Sequence, residues 1–325
     1  MRTELAFSTA DLAQTRFAVS PLWEVATAYR TLAAGTVNPA HRRWADQVRP
    51  RVAAAGLDRG MLSALIPPGS YLADFLTPLA GSPFPTLESE LAAVVATTEE
   101  ELDLQLAFLA RDRPLPPSVR ILRDDPAEGL DRVAAELRAF WDLALAPYWA
   151  RIRRVLEADV FHRARTAAEH GPAAVLNDLH AAVSWDEDTL RLVKRQCGLN
   201  PRMETGAGLV LVPSVFAWPG VMTWSVPPYA PQLCYPARGS GTLWEMPKSA
   251  PSEALSVVLG RSRAALLAEL ETPASTTDLA ARTGLSAAAV SQHLTALRDA
   301  GFVTAHRAGR SVLYARTEVS DTLLT

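Results

Sequence analysis

Two short helical stretches separated by a single glycine constrain this chain more than any other feature. They open the segment TTDLAARTGLSAAAVSQHLTALRDAGFVTAHRAGRSVLY, Thr276 to Tyr314. Thr276 or Thr277 is placed to cap a first helix, Asp278 to Thr283, because a hydroxyl oxygen satisfies free N–H groups at a helix start. Gly284 suits a helix end that turns through positive φ. Ser286 then caps a second helix, Ala287 to Ala300, and Gly301 ends it. Val290, Leu294 and Leu297 recur at i, i+4 and i+7, one buried stripe against which Leu279 and Leu285 pack. This is helix-turn-helix spacing.

The opposite face of the second helix carries Ala288, Ser291, Gln292 and Thr295, which are short or able to hydrogen bond. Such a face enters a major groove: Gln pairs with adenine, Ser with several bases, and Ala touches a thymine methyl. Arg298 lies a turn further on, within reach of phosphate. After Gly301 the period changes to that of strands, Phe302–Thr304 and Val312–Tyr314, joined by a turn over Ala305–Ser311. A hairpin over 302–314 with Arg307 and Arg310 at its turn reads as a wing whose cations hold the DNA backbone. Ser252 onward holds seven arginines, no lysine and seven acidic residues. The local charge is more telling: Arg298, Arg307, Arg310 and Arg316 face only Asp299, a positive footprint where DNA would lie.

The segment resembles the winged-helix domain of ArsR/SmtB-type transcriptional regulators. The matching residues are LGRSR at 259–263, TTDLAARTGLS, VSQHLTALRDAGFV and RAGRSVLY, within about Glu253 to Thr317. The resemblance implies base contacts by Ser291 and Gln292 with Ala287 and Ala288 beside them, and it implies a homodimer. Thr277, at the start of the first helix, joins the expected DNA-facing set.

The 325 residues suggest two or three domains. A hydrophobic fraction of 49% with 21% charged residues describes an ordinary globular chain rather than a disordered one. The net charge of −3 falls entirely before Ser252, which argues against a general nucleic-acid coat. Two cysteines, Cys197 and Cys234, make no secreted disulfide framework. No basic-then-apolar leader is read in MRTELAFSTADLAQTRF, so a cytoplasmic location is expected. Thr205 to Ala237 is free of charge but is broken by six prolines; a spanning helix needs about 20 unbroken apolar residues, so buried strands are expected there and no membrane contact.

Before that segment the chain reads as mainly helical. Ser20-Pro21 starts a helix with Pro at its first position, and Gly35 ends it. His41 to Ala55 is a second helix, and Thr98 with Glu101 forms a capping box for a third. Pro126 to His170 is the longest helical region, with Pro147 as its kink. Leu190–Val193, Leu209–Phe216, Val221–Val226 and Gln232–Tyr235 are spaced as a small antiparallel sheet. Met246 to Ser252 is the expected connection between an effector-sensing or dimerisation domain (1–246) and a winged helix-turn-helix (253–325). The stretches ADLAQTRFAVSPLWEV and GLVLVPSVFAWPGV…YPARGSGTLWE resemble an uncharacterised domain that precedes winged helices in actinobacterial regulators, a resemblance that adds no chemistry.

Other chemistries find little support. The helix before the recognition element has no cysteine, and the six histidines lack metal-ligand spacing; His162 and His170, eight apart, point about 80° from each other on a helix. GxxxxGK[ST] and GxGxxG are missing, as is nucleophile-elbow spacing around Gly239-Ser240-Gly241. Asp186-Glu187-Asp188 reads as a solvated acidic turn. No cofactor or catalytic residue is expected. Seven of the eight tryptophans precede Pro236. Most suit the core, but aromatics lining a cavity between helices and sheet would also hold an apolar effector. The expectation is therefore a mainly α (α+β) protein, a homodimeric repressor that binds double-stranded operator DNA. The alternative is a ligand-binding or scaffold protein whose winged helix makes protein contacts.

Overall fold

The computed structural model describes residues 2–35, 37–112, 114–186, 189–193, 208–224, 229–244, 253–308 and 311–324. β1 (Arg2–Ala6), α1 (Thr9–Ala13) and β2 (Arg16–Phe17) lead into α2 (Pro21–Ala33), α3 (Arg42–Ala54), α4 (Leu62–Leu65), α5 (Leu87–Val95) and α6 (Glu99–Asp112). α7 (Ile121–Asp124), α8 (Pro126–Ala144), α9 (Trp149–His170) and α10 (Pro172–Asp178) follow, then β3 (Val183–Asp186), β4 (Thr189–Val193), β5 (Val210–Ser214), β6 (Met222–Trp224) and β7 (Gln232–Pro236). The C-terminal part holds α11 (Glu253–Leu259), α12 (Arg261–Glu269), β8 (Ala274–Ser275), α13 (Thr276–Thr283), α14 (Ala287–Asp299), β9 (Val303–Ala308), β10 (Ser311–Arg316) and α15 (Glu318–Leu324). The class is mainly α with small sheets, as the sequence implies. The expected connection at 246–252 lies outside the described residues, which stop at Trp244 and resume at Glu253.

The sheet of the N-terminal part divides in two. β1-β4-β3 is antiparallel throughout. β2-β5-β7-β6 is mixed: β2, β5 and β7 run parallel, and only β6 is antiparallel to its neighbour. Every residue of β5 is buried, the setting in which parallel strands occur, because both of their faces are covered. Turn spacing reports hairpins. It carries no information on β2 pairing with β5 from the other end of the N-terminal part.

The main apolar core gathers around α2, α3, α4 and α8, and includes Trp44, Phe140 and Phe216. Pro147 divides the long helical region as expected, in a 3-10 turn over Ala146–Tyr148 between α8 and α9. The Thr98–Glu101 box forms, Glu101 N donating to Thr98 Oγ1 at 3.3 Å and Thr98 N to Glu101 Oε2 at 3.2 Å. α2 starts on Ser20 as expected but stops at Ala34, one residue short of Gly35, where Ala34 turns to extended backbone.

Two buried glutamates brace α2. Glu90 Oε2 accepts from Leu22 N at 2.8 Å, and Glu24 Oε1 accepts from Val215 N at 3.0 Å, tying the helix to the end of β5. Burial pushes Glu24 up to about 8 and Glu90 up to about 7, so Glu24 is mainly protonated at neutral pH. A carboxyl whose pKa is raised by folding stabilises fully below its unfolded value of 4.5, and that stabilisation is lost as pH rises toward the folded value. Between pH 6 and pH 8 the protein is expected to lose on the order of 2–3 kcal/mol of stability, read from urea unfolding at the two pH values. Glu24→Gln should show a markedly smaller decline; an equal decline would remove Glu24 as its source.

Candidate nucleic-acid interface

The helix-turn-helix is built by its caps. Ser275, not Thr276 or Thr277, caps α13: Asp278 N donates to Ser275 Oγ at 3.2 Å and Ser275 N donates to Asp278 Oδ2 at 3.0 Å. The reciprocal box starts the helix two residues earlier than the Asp278 start expected from sequence, because Asp278 serves the cap from position N3. The hydrogen bonds that its carboxylate accepts from Ser275 N and Ser275 Oγ hold Asp278 below its ordinary range. Gly284 ends α13 in the left-handed region at φ 72°, where a Cβ would be strained. Ser286 caps α14, accepting from Ala289 N at 3.2 Å. Leu279, Val290, Leu294 and Leu297 are buried in one cluster with Leu266, Leu267 and Val303, and Leu285 packs against it.

That cluster fixes which face of α14 looks outward. Ala287, Ala288, Ser291, Gln292, Thr295 and Arg298 are all exposed, as is Thr277 at the start of α13. Thr295 Oγ1 donates back to the Ser291 carbonyl at 3.0 Å, so its hydroxyl offers acceptor capacity outward. Arg298 holds Asp299 at 3.2 Å, with both side chains about half exposed; such a pair is worth at most ~1 kcal/mol and exchanges readily for phosphate. His293, on the flank of the helix, is half-buried.

The hairpin differs from the expected one in three ways. Its strands are longer, β9 running to Ala308 and β10 starting at Ser311, so Ala305–Ala308 is paired strand instead of turn. A third strand joins: β8 pairs with β10 through Ser275–Leu313 and Ala274–Tyr314. Arg316 leaves the basic footprint, because it is buried in an ion pair with Asp321 at 3.1 Å. Arg307 remains exposed. Gly309 and Arg310 lie outside the described residues.

The hairpin is also docked on the N-terminal part, which nothing local in the sequence announces. β9 packs against α8 and the 3-10 turn at Ala146–Tyr148, and Leu313 belongs to the same buried cluster as the α8 side chains. Arginines surround the contact. Arg43 pairs with Glu271 at 3.1 Å, Arg151 Nη2 donates to the Glu271 carbonyl at 3.1 Å, and Arg154 lies 3.6 Å from Glu318 and 3.7 Å from Asp321. The outward face of α14 is left open to solvent. Among the described residues no group of His, Cys, Asp or Glu is arranged to hold a metal ion, and no helix is long and apolar enough to cross a membrane.

Comparison with protein families matches residues 265–305 to the bacterial regulatory protein, arsR family, and residues 118–241 to a family of unknown function, DUF5937. The first match covers α13, α14 and the start of β9; the second runs from α7 through β7. The pairing of an ArsR-type helix-turn-helix with an uncharacterised N-terminal domain, expected from the quoted motifs, is thus found. Searches of curated proteins and of solved structures return no match.

Proposed function

We propose that this protein is a sequence-specific DNA-binding transcriptional regulator of ArsR type. The single observation that carries the reading is the arsR-family match over a capped helix pair whose second helix turns Ser291, Gln292 and Thr295 outward. In this reading α14 enters the major groove, Ser291 and Gln292 read base edges, Ala287 and Ala288 contact thymine methyls, and Thr277 and Thr295 bond beside them. Arg298, Arg307 and Arg310 hold phosphates.

Two finer elements belong to the proposal. The protein acts as a homodimeric repressor in the cytoplasm. α11 exposes Val257 and Val258 (80% and 79%), and α15 exposes Val319 and Leu323, apolar surface that a second copy would cover. The chain divides into a regulatory part, 1–246, and the winged helix, 253–325, with the docked hairpin as their link. The test is a DNA titration of the full chain beside Gln292→Ala, set out at the end of the Discussion.

A further inference from the structure

A cleft of about 320 Å³ lies between the start of α2, residues 84–88, the second half of α8 and the start of α9. Its size falls at the low end of small-molecule sites, roughly 300–1,000 Å³. Trp141 and Trp149 form one wall, their rings 4.8 Å apart and edge-on at 62°. Phe84 lines it too and is 52% exposed, high for a phenylalanine.

Four charged side chains line the cleft: Glu88, Arg138, Asp142 and Arg153. Arg138 is paired with Glu88 at 3.2 Å, and Arg153 is paired with Glu157 at 2.7 Å. Both cations are therefore already matched by carboxylates. Asp142 makes no hydrogen bond or close ion pair among the described residues; burial raises its carboxyl above the ordinary range, nearby Arg138 offsets part of that rise and Glu88 adds to it. A carboxylate beside an aromatic wall suits a positively charged ligand: the carboxylate meets the charge and the rings add cation–π attraction, as the Phe84 ring does for the Arg153 guanidinium 5.9 Å from it. An anion would have to displace Glu88 or Glu157 first.

We propose that the cleft at the α8–α9 elbow binds a small organic cation, an amine or quaternary ammonium with an apolar body, and that this is the effector site. The site lies among helices and a loop, not between helices and sheet as expected from sequence. Trp149 opens α9, and two and five residues later Arg151 and Arg154 make the contacts to Glu271, Glu318 and Asp321. α8, which supplies Trp141 and Asp142, also carries the packed β9. A ligand against the tryptophan wall therefore acts on the element that holds the hairpin, and it shifts DNA affinity by its preference for one placement of that hairpin. The effector role rests on the regulator reading above; the binding does not.

The test uses the full chain free of DNA, titrated with benzyltrimethylammonium chloride and separately with sodium benzoate, with tryptophan fluorescence as readout. The expected result is a saturable change with the cation through the millimolar range and none with benzoate. Asp142→Asn, isosteric at a half-buried position, should weaken the cation roughly tenfold or more. Equal binding of benzoate, unchanged affinity in Asp142→Asn, or no saturable response to the cation would each overturn the site. A second arm adds the cation to the protein–DNA complex. A changed DNA affinity in wild type, lost in Asp142→Asn, supports the effector role. Cation binding with DNA affinity unmoved overturns that role alone, and a protein that binds the cation but no DNA overturns the regulator reading instead.

Discussion

Arg163→Ala is expected to cost about 3–5 kcal/mol of folding stability, the largest single effect in the N-terminal part. Arg163 and Asp159 lie one turn apart on α9, 3.4 Å from each other, with side chains 3% and 0% exposed. Asp159 holds more than its ion partner. Its Oδ2 accepts from Tyr235 Oη at 2.6 Å and its Oδ1 accepts from Arg238 N at 3.0 Å, so one carboxylate ties α9 to β7 and to the turn after it. Arg163 reaches on to Asp178 at 3.0 Å and places its guanidinium 5.1 Å from the Tyr235 ring. Removing the arginine leaves a buried negative charge beside a phenol whose own ionisation is pushed well above its usual range. Urea unfolding measures the loss. A change under 1 kcal/mol would mean that the charge is relieved by water or by proton uptake, and that the network does not brace the sheet.

The second large effect is on DNA affinity. In the proposed dimer, with Arg298, Arg307 and Arg310 of each subunit on phosphate, six contacts predict a slope of log K against log salt of about −5.4 and a fall of roughly a thousandfold between 50 and 200 mM salt. Arg307→Ala removes two of the six and should bring the slope to about −3.6, weakening all sequences alike. The buried Arg316 is excluded from this count by its pairing with Asp321. A slope near zero, or an unchanged slope in Arg307→Ala, would place the wing off the DNA.

Much of the C-terminal part is legible in the sequence because its determinants are local. Gly284, Ser286 and Gly301 each act within a turn of chain, and the stripe of Val290, Leu294 and Leu297 orients α14 without help from elsewhere. The cap falls on Ser275, one residue before the expected Thr276 or Thr277, because three consecutive hydroxyl residues can each cap and only the reach of Asp278 decides among them. The long helical region and its break at Pro147 were equally local. The parallel pairing of β2, β5 and β7 was not, nor was the docking of β9 on α8. Those contacts join residues distant in sequence through side chains whose partners no spacing rule specifies. Most tryptophans suit the core from sequence alone, and Trp141 lies in the main apolar cluster with Trp149 packed against it. Only the path of the Phe84–Glu88 segment across them leaves a cleft, and only the three-dimensional structure shows Arg138 and Arg153 making their close ion pairs with Glu88 and Glu157 and not with Asp142.

The most direct test is a titration of the full chain with DNA from its own promoter region and with a scrambled duplex of the same length, beside Gln292→Ala. The wild type should prefer the promoter DNA, and Gln292→Ala should lose about 1–3 kcal/mol of discrimination per base pair read while keeping its salt-dependent, sequence-independent binding. Equal binding of both duplexes by the wild type, or a Gln292→Ala protein with unaltered preference, would contradict sequence reading by α14 and favour a winged helix used for protein contacts.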